Sequence, residues 1–596
     1  MVAESAPYWD TSLPVGERVD DLLTHMTLEE KVGQMFHWLV MPGAEDSLSQ
    51  PNNMMGLESP QDTICTRFIS HFALVGSVTD VRQAVRWHNA AQRLARSTRL
   101  GIPLTVSSDP RHHFFANLGT AAAAGSLSQW PETLGLAAIR DPATTRRFAE
   151  IASQEYRALG IRVALHPQID LATDYRWSRT NGTFGEDADL TSELVAAYIR
   201  GFQGAGPGLS SSSVACMIKH FPGGGALRKG EDSHFHEGRI QEYPGGQFEY
   251  HLRPFRAALE AGAAQVMPAY GVPTGLPEYP EVAFGFNKPI VTDLLRGKLG
   301  FQGVVVTDFG MITDHIIMGE NQQARAWGCE DESRLDRVAK ILDAGCDQLG
   351  GEICSDLIIE LVRSGRVAES RIDASVTRIL RDKFLLGLFD NPFLDEEQAT
   401  QNVGTPEFLA EATAAQRASI TVLENATQFL PLSSNSSPSS CKVFLKDFPA
   451  EIATARGFTV VGSAKEADLA IVRLQAPYEK RSGAFASTFH AGSLDFSDEL
   501  LTEVLAICAD APTVVDVYLD RPAVVTPLVG KAAALLGTFG TGPDALMDVL
   551  LGAAKPLGKL PFDLPRSMAA VDASLTDKAH DTKDPAFRFG HGLSYP

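Results

Sequence analysis

The sequence predicts an α/β protein in two parts: an N-terminal (β/α)8 TIM-type barrel over residues 1–392 and a C-terminal α/β sandwich domain over 406–596, with a linker at 393–405. Three observations predict it. Short apolar runs recur along the first part, separated by amphipathic stretches such as ETLGLAAIRDPATTRRFAEIASQEYRALG. The runs are continuously apolar rather than alternating, as strands covered on both faces by helices must be. The rhythm stops at LGLFDNPFLDEEQ, where Pro392 and a polar run intervene, and then resumes.

The first helix is signalled by MTLEEKVGQMF, where Thr27 and Glu30 have capping-box spacing and Leu28, Val32, Met35 and Phe36 share a face. Six strands follow: IPLTVSS from Ile102, IRVALHP from Ile161, VACMIKHF from Val214, AAQVMPAY from Ala263, VVVTD from Val304 and AGCDQLG from Ala344. Repeated strand–helix units make a parallel sheet, and closure into a barrel is the usual solution at this length. In the second part a helix around 406–419 leads into ITVLENATQFLPL and the polar loop SSNSSPSSC. VFLKDF, FTVVGS, LAIVRL, PTVVDVYL and AAALLGTFG then supply five strands. GTFGTG at 537–542 has the wrong spacing for a dinucleotide loop and reads as a tight turn.

Bulk composition narrows the function. A formal net charge of −21 repels phosphate backbones and anionic membranes, which argues against nucleic-acid binding as a role. No run of about 18 apolar residues occurs to span a bilayer. The seven cysteines form no CxxC pair, and the odd count fits a reducing compartment. With no basic segment preceding an apolar core at the N-terminus, a cytoplasmic location is expected. Sequons at Asn181, Asn425 and Asn435 carry little weight without a leader.

The strand ends carry the chemistry. Runs close in SSDPRHHF, KHFPGGG, PAY and TDFG, so polar, charged and aromatic groups cluster where barrel enzymes keep their active sites. Asp308 could alone be a cap for a following helix. Four such ends on one barrel face favour a functional reading.

Five stretches in order, MTLEEKVGQM, ATDYRWSRTNGTFGEDADLTSELVAAYIRGFQG, MIKHFPGGG, GFQGVVVTDFG and GKLPFDLPRS…FRFGHGLSYP, resemble the signatures of glycoside hydrolase family 3 over nearly the whole chain. The resemblance implies a retaining, exo-acting β-glycosidase, a β-glucosidase releasing terminal β-D-glucose through a covalent glycosyl-enzyme. Asp308 of TDF matches the nucleophile of the family's SDW motif, with Phe309 replacing the tryptophan. Glu479 of APYEKRSG matches the acid/base carboxylate of the sandwich loop, although without the resemblance it reads as a surface glutamate in a charged turn. FHAGSLDF, just after it, belongs to the same site-facing loop by this reading. By position Asp109, Arg179, Lys219, His220 and Tyr270 surround the glycone, with a structural pairing of Arg179 to Glu186 or Asp187 as the bland alternative.

Two rival readings stand beside this one. The family's β-N-acetylglucosaminidases use an Asp-His dyad in KHFPGHGxxxxDSH, which Asp232 and His234 of KHFPGGGALRKGEDSH mimic. Against it, Gly224 replaces the second histidine, the loop is longer, and PYEKRSG is present. A non-catalytic sugar-binding paralogue would keep the pocket but lose Asp308 or Glu479, and both are present. No cofactor and no metal are implied, since His112 and His113 lack helical ligand spacing. The expected partner is a small-molecule or oligosaccharide β-glycoside, with no nucleic acid and no membrane, and a homodimer left open.

Overall fold

The computed structural model describes residues 6–43, 48, 51–206, 208–432 and 441–595. The sequon at Asn435 and most of SSNSSPSSC lie outside them. Asn181 is buried at 6% exposure, which leaves no room for a glycan there.

Eight parallel strands form the first sheet: β1 Phe36–Val40, β2 His71–Leu74, β3 Thr105–Ser108, β4 Ile161–Ala164, β5 Ala215–Phe221, β6 Gln265–Pro268, β7 Val304–Val305 and β8 Leu349–Gly350. Neighbours follow chain order, with β8 beside β1. The ring closes between β7 and β8, where Thr307 N donates to Gln348 O at 2.9 Å and Asp347 N to Val305 O at 2.7 Å. This is the expected (β/α)8 barrel. Val106, Val163, Ile218, Val266, Val305 and Leu349 are no more than 2% exposed. Each such buried side chain contributes about 1.5–3 kcal/mol.

The six expected runs supply β3 to β8. The sequence reading did not pick out β1 and β2, whose apolar runs are interrupted by the buried His37 and His71. Each ring has one partnered nitrogen, His37 Nε2 at 2.7 Å from Ser107 Oγ and His71 Nδ1 at 3.4 Å from Ser70 Oγ. The capping box is present: Thr27 accepts from Glu30 N, and Glu30 accepts from Thr27 N at 2.9 Å. That helix ends at Gln34, so Phe36 opens β1 instead of lying on the helical face.

The second sheet runs in the order β9 Thr421–Asn425, β14 Ala534–Thr538, β13 Thr513–Tyr518, β12 Leu469–Gln475, β10 Lys442–Lys446, β11 Thr459–Val461. All pairs are parallel except β9 with β14. The helix Pro406–Ser419 precedes it as expected. The 393–405 stretch, read as a linker, holds a helix at Glu396–Asn402 packed on Val81–Arg96. Among the described residues no helix is long and apolar enough to cross a membrane.

Polar contacts bolt the two sheets' layers into one body. Glu132 N donates to Phe539 O at 2.8 Å, and the Glu132 carboxylate accepts from Tyr518 at 3.0 Å and from Phe114 and Phe115 N. Gly540, at φ 81°, is needed there because a Cβ would meet the Phe114 ring at 2.9 Å. Asn117 Nδ2 reaches Thr488 O at 2.8 Å, which brings the 478–496 loop over the mouth of the barrel.

Candidate active site

At the carboxyl ends of the barrel strands lies a cavity of about 710 Å³, large enough for a sugar and its leaving group. Asp109 from beyond β3, Lys219 and His220 from β5, Tyr270 from beyond β6 and Asp308 from beyond β7 all line it. Arg179 and His234 enter from loops, and Phe485 from the second domain.

Asp308 caps no helix. The next helix starts at Arg334 and is capped by Ser333. Asp308 is 6% exposed; its Oδ1 accepts from Phe309 N at 2.8 Å, and its buried Oδ2 has no hydrogen-bond partner among the described residues. The contrast with Asp347, at the opposite end of β8, is instructive. Asp347 accepts from Arg296, Arg378, Ser375 and Val305 N at 2.6–3.0 Å and is saturated by structure. Asp308 keeps a free oxygen facing the cavity.

His220 Nε2 lies 3.7 Å from Asp308 Oδ2. Arg179 Nη1 donates to His220 Nε2 at 3.2 Å, and His220 Nδ1 lies 2.7 Å from Asp170 Oδ2. That network assigns a neutral His220 with its proton on Nδ1. Burial pushes the Asp170 carboxyl up, but His220 and the N–H groups of Gly224 and His220 outweigh it and hold it below the ordinary range. Lys219 Nζ is 2.7 Å from Asp109 Oδ1, so the pair presents a donor and an acceptor side by side. The Tyr270 hydroxyl donates to Phe309 O, and burial followed by the Asp308 charge drives its pKa well up. The bland pairing of Arg179 with Glu186 or Asp187 does not form. Those carboxylates go to His580, at 3.2 and 3.3 Å.

The structure brings together Asp308, Asp109, Arg179, Lys219, His220 and Tyr270. It does not bring Glu479 to them. Glu479 is exposed, pairs through its backbone with Ala491, and is not among the residues lining the cavity. His234 occupies the cavity wall instead, with its ring 5.0 Å from that of Tyr270 and 5.3 Å from that of Phe489. Asp232 Oδ1 is 2.7 Å from His234 Nδ1, and its Oδ2 accepts from Trp177 Nε1 at 2.9 Å. Burial lowers the His234 pKa below its ordinary value, only partly offset by Asp232 and Asp308. Burial pushes Asp232 up, but His234 and Arg179 more than reverse this and keep it ionised.

Sequence reasoning missed Asp170, although it ends the IRVALHPQID run in the same way as the other site residues end theirs. It also missed Phe485, which no local pattern distinguishes. FHAGSLDF does reach the site, through Phe489. His112 and His113 are structural, bonded to Glu155 at 2.9 Å and Pro131 O at 2.7 Å. Among the described residues one trio could hold a metal, Glu186, Asp563 and His580 at the domain seam. Glu186 there already accepts from Asp563 N at 2.6 Å and His580 N at 2.9 Å.

A barrel-end aspartate with a free oxygen, set among hydroxyl-binding pairs, is what covalent glycoside cleavage requires. The sequence profiles of the Glycosyl hydrolase family 3 N terminal domain and C-terminal domain match residues 27–381 and 454–595. The chain belongs to glycosyl hydrolase family 3. It is 50% identical over 593 residues to probable beta-glucosidase C of Aspergillus flavus, covering 99% of this chain and 92% of that one. The periplasmic beta-glucosidase/beta-xylosidase of Dickeya chrysanthemi is 39% identical, with 99% and 91% covered. Among solved structures, the beta-glucosidase of Listeria innocua in complex with isofagomine superposes with TM-score 0.74 at 23% identity, covering 97% of this chain and 83% of that one, a likeness of fold. As a family 3 member with these relatives, the protein is a glycoside hydrolase.

Proposed function

We propose that this family 3 enzyme is a retaining, exo-acting β-glucosidase in which Asp308 is the nucleophile and His234, oriented by Asp232, is the acid/base. The observation that carries the reading is the unpartnered Asp308 Oδ2, in a cavity that His234 also lines. Asp308 attacks the anomeric carbon while His234 gives its Nε2 proton to the departing oxygen, leaving a glycosyl ester on Asp308. The now neutral His234 takes a proton from water, whose oxygen attacks the same carbon and frees Asp308. Asp109, Lys219, Arg179 and His220 hold the glycone hydroxyls, and Tyr270 walls the ring. The boundaries 1–392 and 406–596 fit this division, with the barrel holding the chemistry and the second domain supplying Phe485 and Phe489.

Glucose as the glycone is supported by the names of the relatives at 50% identity. The seven cysteines are all free, which fits a compartment that keeps thiols reduced. The test is the ratio of kcat/KM for an aryl β-glucoside over the matching β-N-acetylglucosaminide. A ratio far above one is expected. A ratio below one would assign the enzyme to the acetylamino sugar.

A further inference from the structure

Three arginines that the mechanism does not use line the cavity, Arg67, Arg325 and Arg334, and of these Arg325 alone is buried. Arg325 is 3% exposed and lines the cavity, yet its buried Nε has no hydrogen-bond partner. Among the described residues its side chain donates no hydrogen bond, and no carboxylate oxygen lies within ion-pair distance. Its neighbours are aromatic: Cζ is 6.0 Å from the Tyr270 ring and 5.9 Å from the Phe485 ring. It crosses Gly310, two positions after the nucleophile, where a Cβ would meet Nη1 at 2.9 Å. Arg325 N is bonded to Gly310 O at 2.8 Å, which fixes the chain in that position.

A buried guanidinium with no anion is costly. Aromatic faces offset part of that cost, but the planar fork is built for a bidentate acceptor. The location says which part of a substrate would supply one. His234 must reach the glycosidic oxygen, so the leaving group lies on its side of the cavity. The Phe485 ring is 6.2 Å from the His234 ring and 5.9 Å from Arg325 Cζ, so it neighbours both. An aromatic leaving group stacked on Phe485 would carry its far substituent to Arg325.

We propose, resting on the glucosidase reading above, that Arg325 selects β-glucosides whose aglycone is an aromatic ring bearing a carboxylate. The overall charge of −21 disfavours anions, so any such preference must come from a local cation.

The experiment compares kcat/KM for 4-carboxyphenyl β-D-glucoside with that for its methyl ester, in wild type, Arg325→Gln and Arg325→Lys. The ester is the better leaving group, so chemistry alone favours it. Wild type is expected to prefer the carboxylate by about 10- to 100-fold, the range of a charge-assisted hydrogen bond. The preference should vanish in Arg325→Gln and survive in part in Arg325→Lys. A wild-type ratio at or below one, or a ratio that Arg325→Gln leaves unchanged, overturns the proposal. If Arg325→Gln fails to fold, Arg325→Lys and inhibition by free 4-hydroxybenzoate against its methyl ester decide the matter. If wild type cleaves neither glucoside, the glucosidase reading fails, and direct binding of 4-hydroxybenzoate to wild type and Arg325→Lys still tests Arg325.

Discussion

His234 Nδ1 stands 2.7 Å from Asp232 Oδ1, and that contact decides which nitrogen faces the cavity. With Nδ1 held by the carboxylate, Nε2 is the nitrogen free to exchange a proton with a bound glycoside. Asp232 is fixed in turn by Trp177 Nε1 at 2.9 Å. Asp232→Asn keeps the shape but loses the charge that favours the imidazolium. It should lower kcat/KM by about 10- to 100-fold, measured on an aryl glucoside with a poor leaving group.

Asp308→Asn removes the nucleophile. Turnover should fall by on the order of 10⁴-fold or more, since residues that act as a unit fail together. Incubating wild type with a 2-deoxy-2-fluoro-β-glucoside should add one sugar to the mass of the peptide that holds Asp308. An adduct on another peptide would refute the assignment.

The pH profile follows from His234. Burial lowers its pKa below the ordinary histidine value, so the protonated form needed for the first step is lost as pH rises through that lower value. The basic limb of kcat/KM is therefore expected below about pH 6.5. It should disappear in His234→Ala, as read from initial rates across pH.

Glu132 links stability to pH at the domain seam. Burial, opposed by N–H groups of Phe115 and Phe114 and by Tyr518, pushes its carboxyl up to about 8. A raised carboxyl binds its proton more tightly in the folded state, so stability falls as pH rises from the unfolded value towards the folded one. The melting temperature should decline across that window in wild type. It should decline less in Glu132→Gln, which keeps an acceptor without the charge.

Gly350 closes the barrel beside the nucleophile. A Cβ there would meet the Phe309 ring at 2.4 Å and Thr307 O at 2.5 Å. Gly350→Ala must displace the Asp308 turn or β8, costing about 1–3 kcal/mol and a larger share of activity. Thermal melts and kcat together check this.

The barrel was legible because strands covered on both faces are rich in apolar residues, and six such runs recur along the first part. β1 and β2 were not, since buried histidines interrupt their apolar runs, and Ser107, the partner of His37, is remote in sequence. Site residues that end an apolar run were visible as Asp109, Lys219, His220, Tyr270 and Asp308. Asp170 carried the same signal and was overlooked. The sequence kept the acid/base and the substrate question tied together, because the dyad suggested one sugar and the loop glutamate another. His234 lines the cavity with Asp232 bonded to its Nδ1, while Glu479 is exposed, and nothing about Asp232 and His234 demands an acetylamino group. Arg325 and Phe485 had no signal at all, since their meeting depends on domain docking and a loop path.

The most direct test uses leaving groups of different acidity with His234→Ala and Glu479→Gln. If His234 is the acid, its variant should cleave 2,4-dinitrophenyl β-glucoside nearly as well as wild type. It should lose about 10²- to 10⁴-fold on an unactivated aryl glucoside. Glu479→Gln should change neither rate by more than about twofold, as expected of an exposed side chain. The reverse result, a leaving-group-dependent loss in Glu479→Gln and none in His234→Ala, would contradict the account.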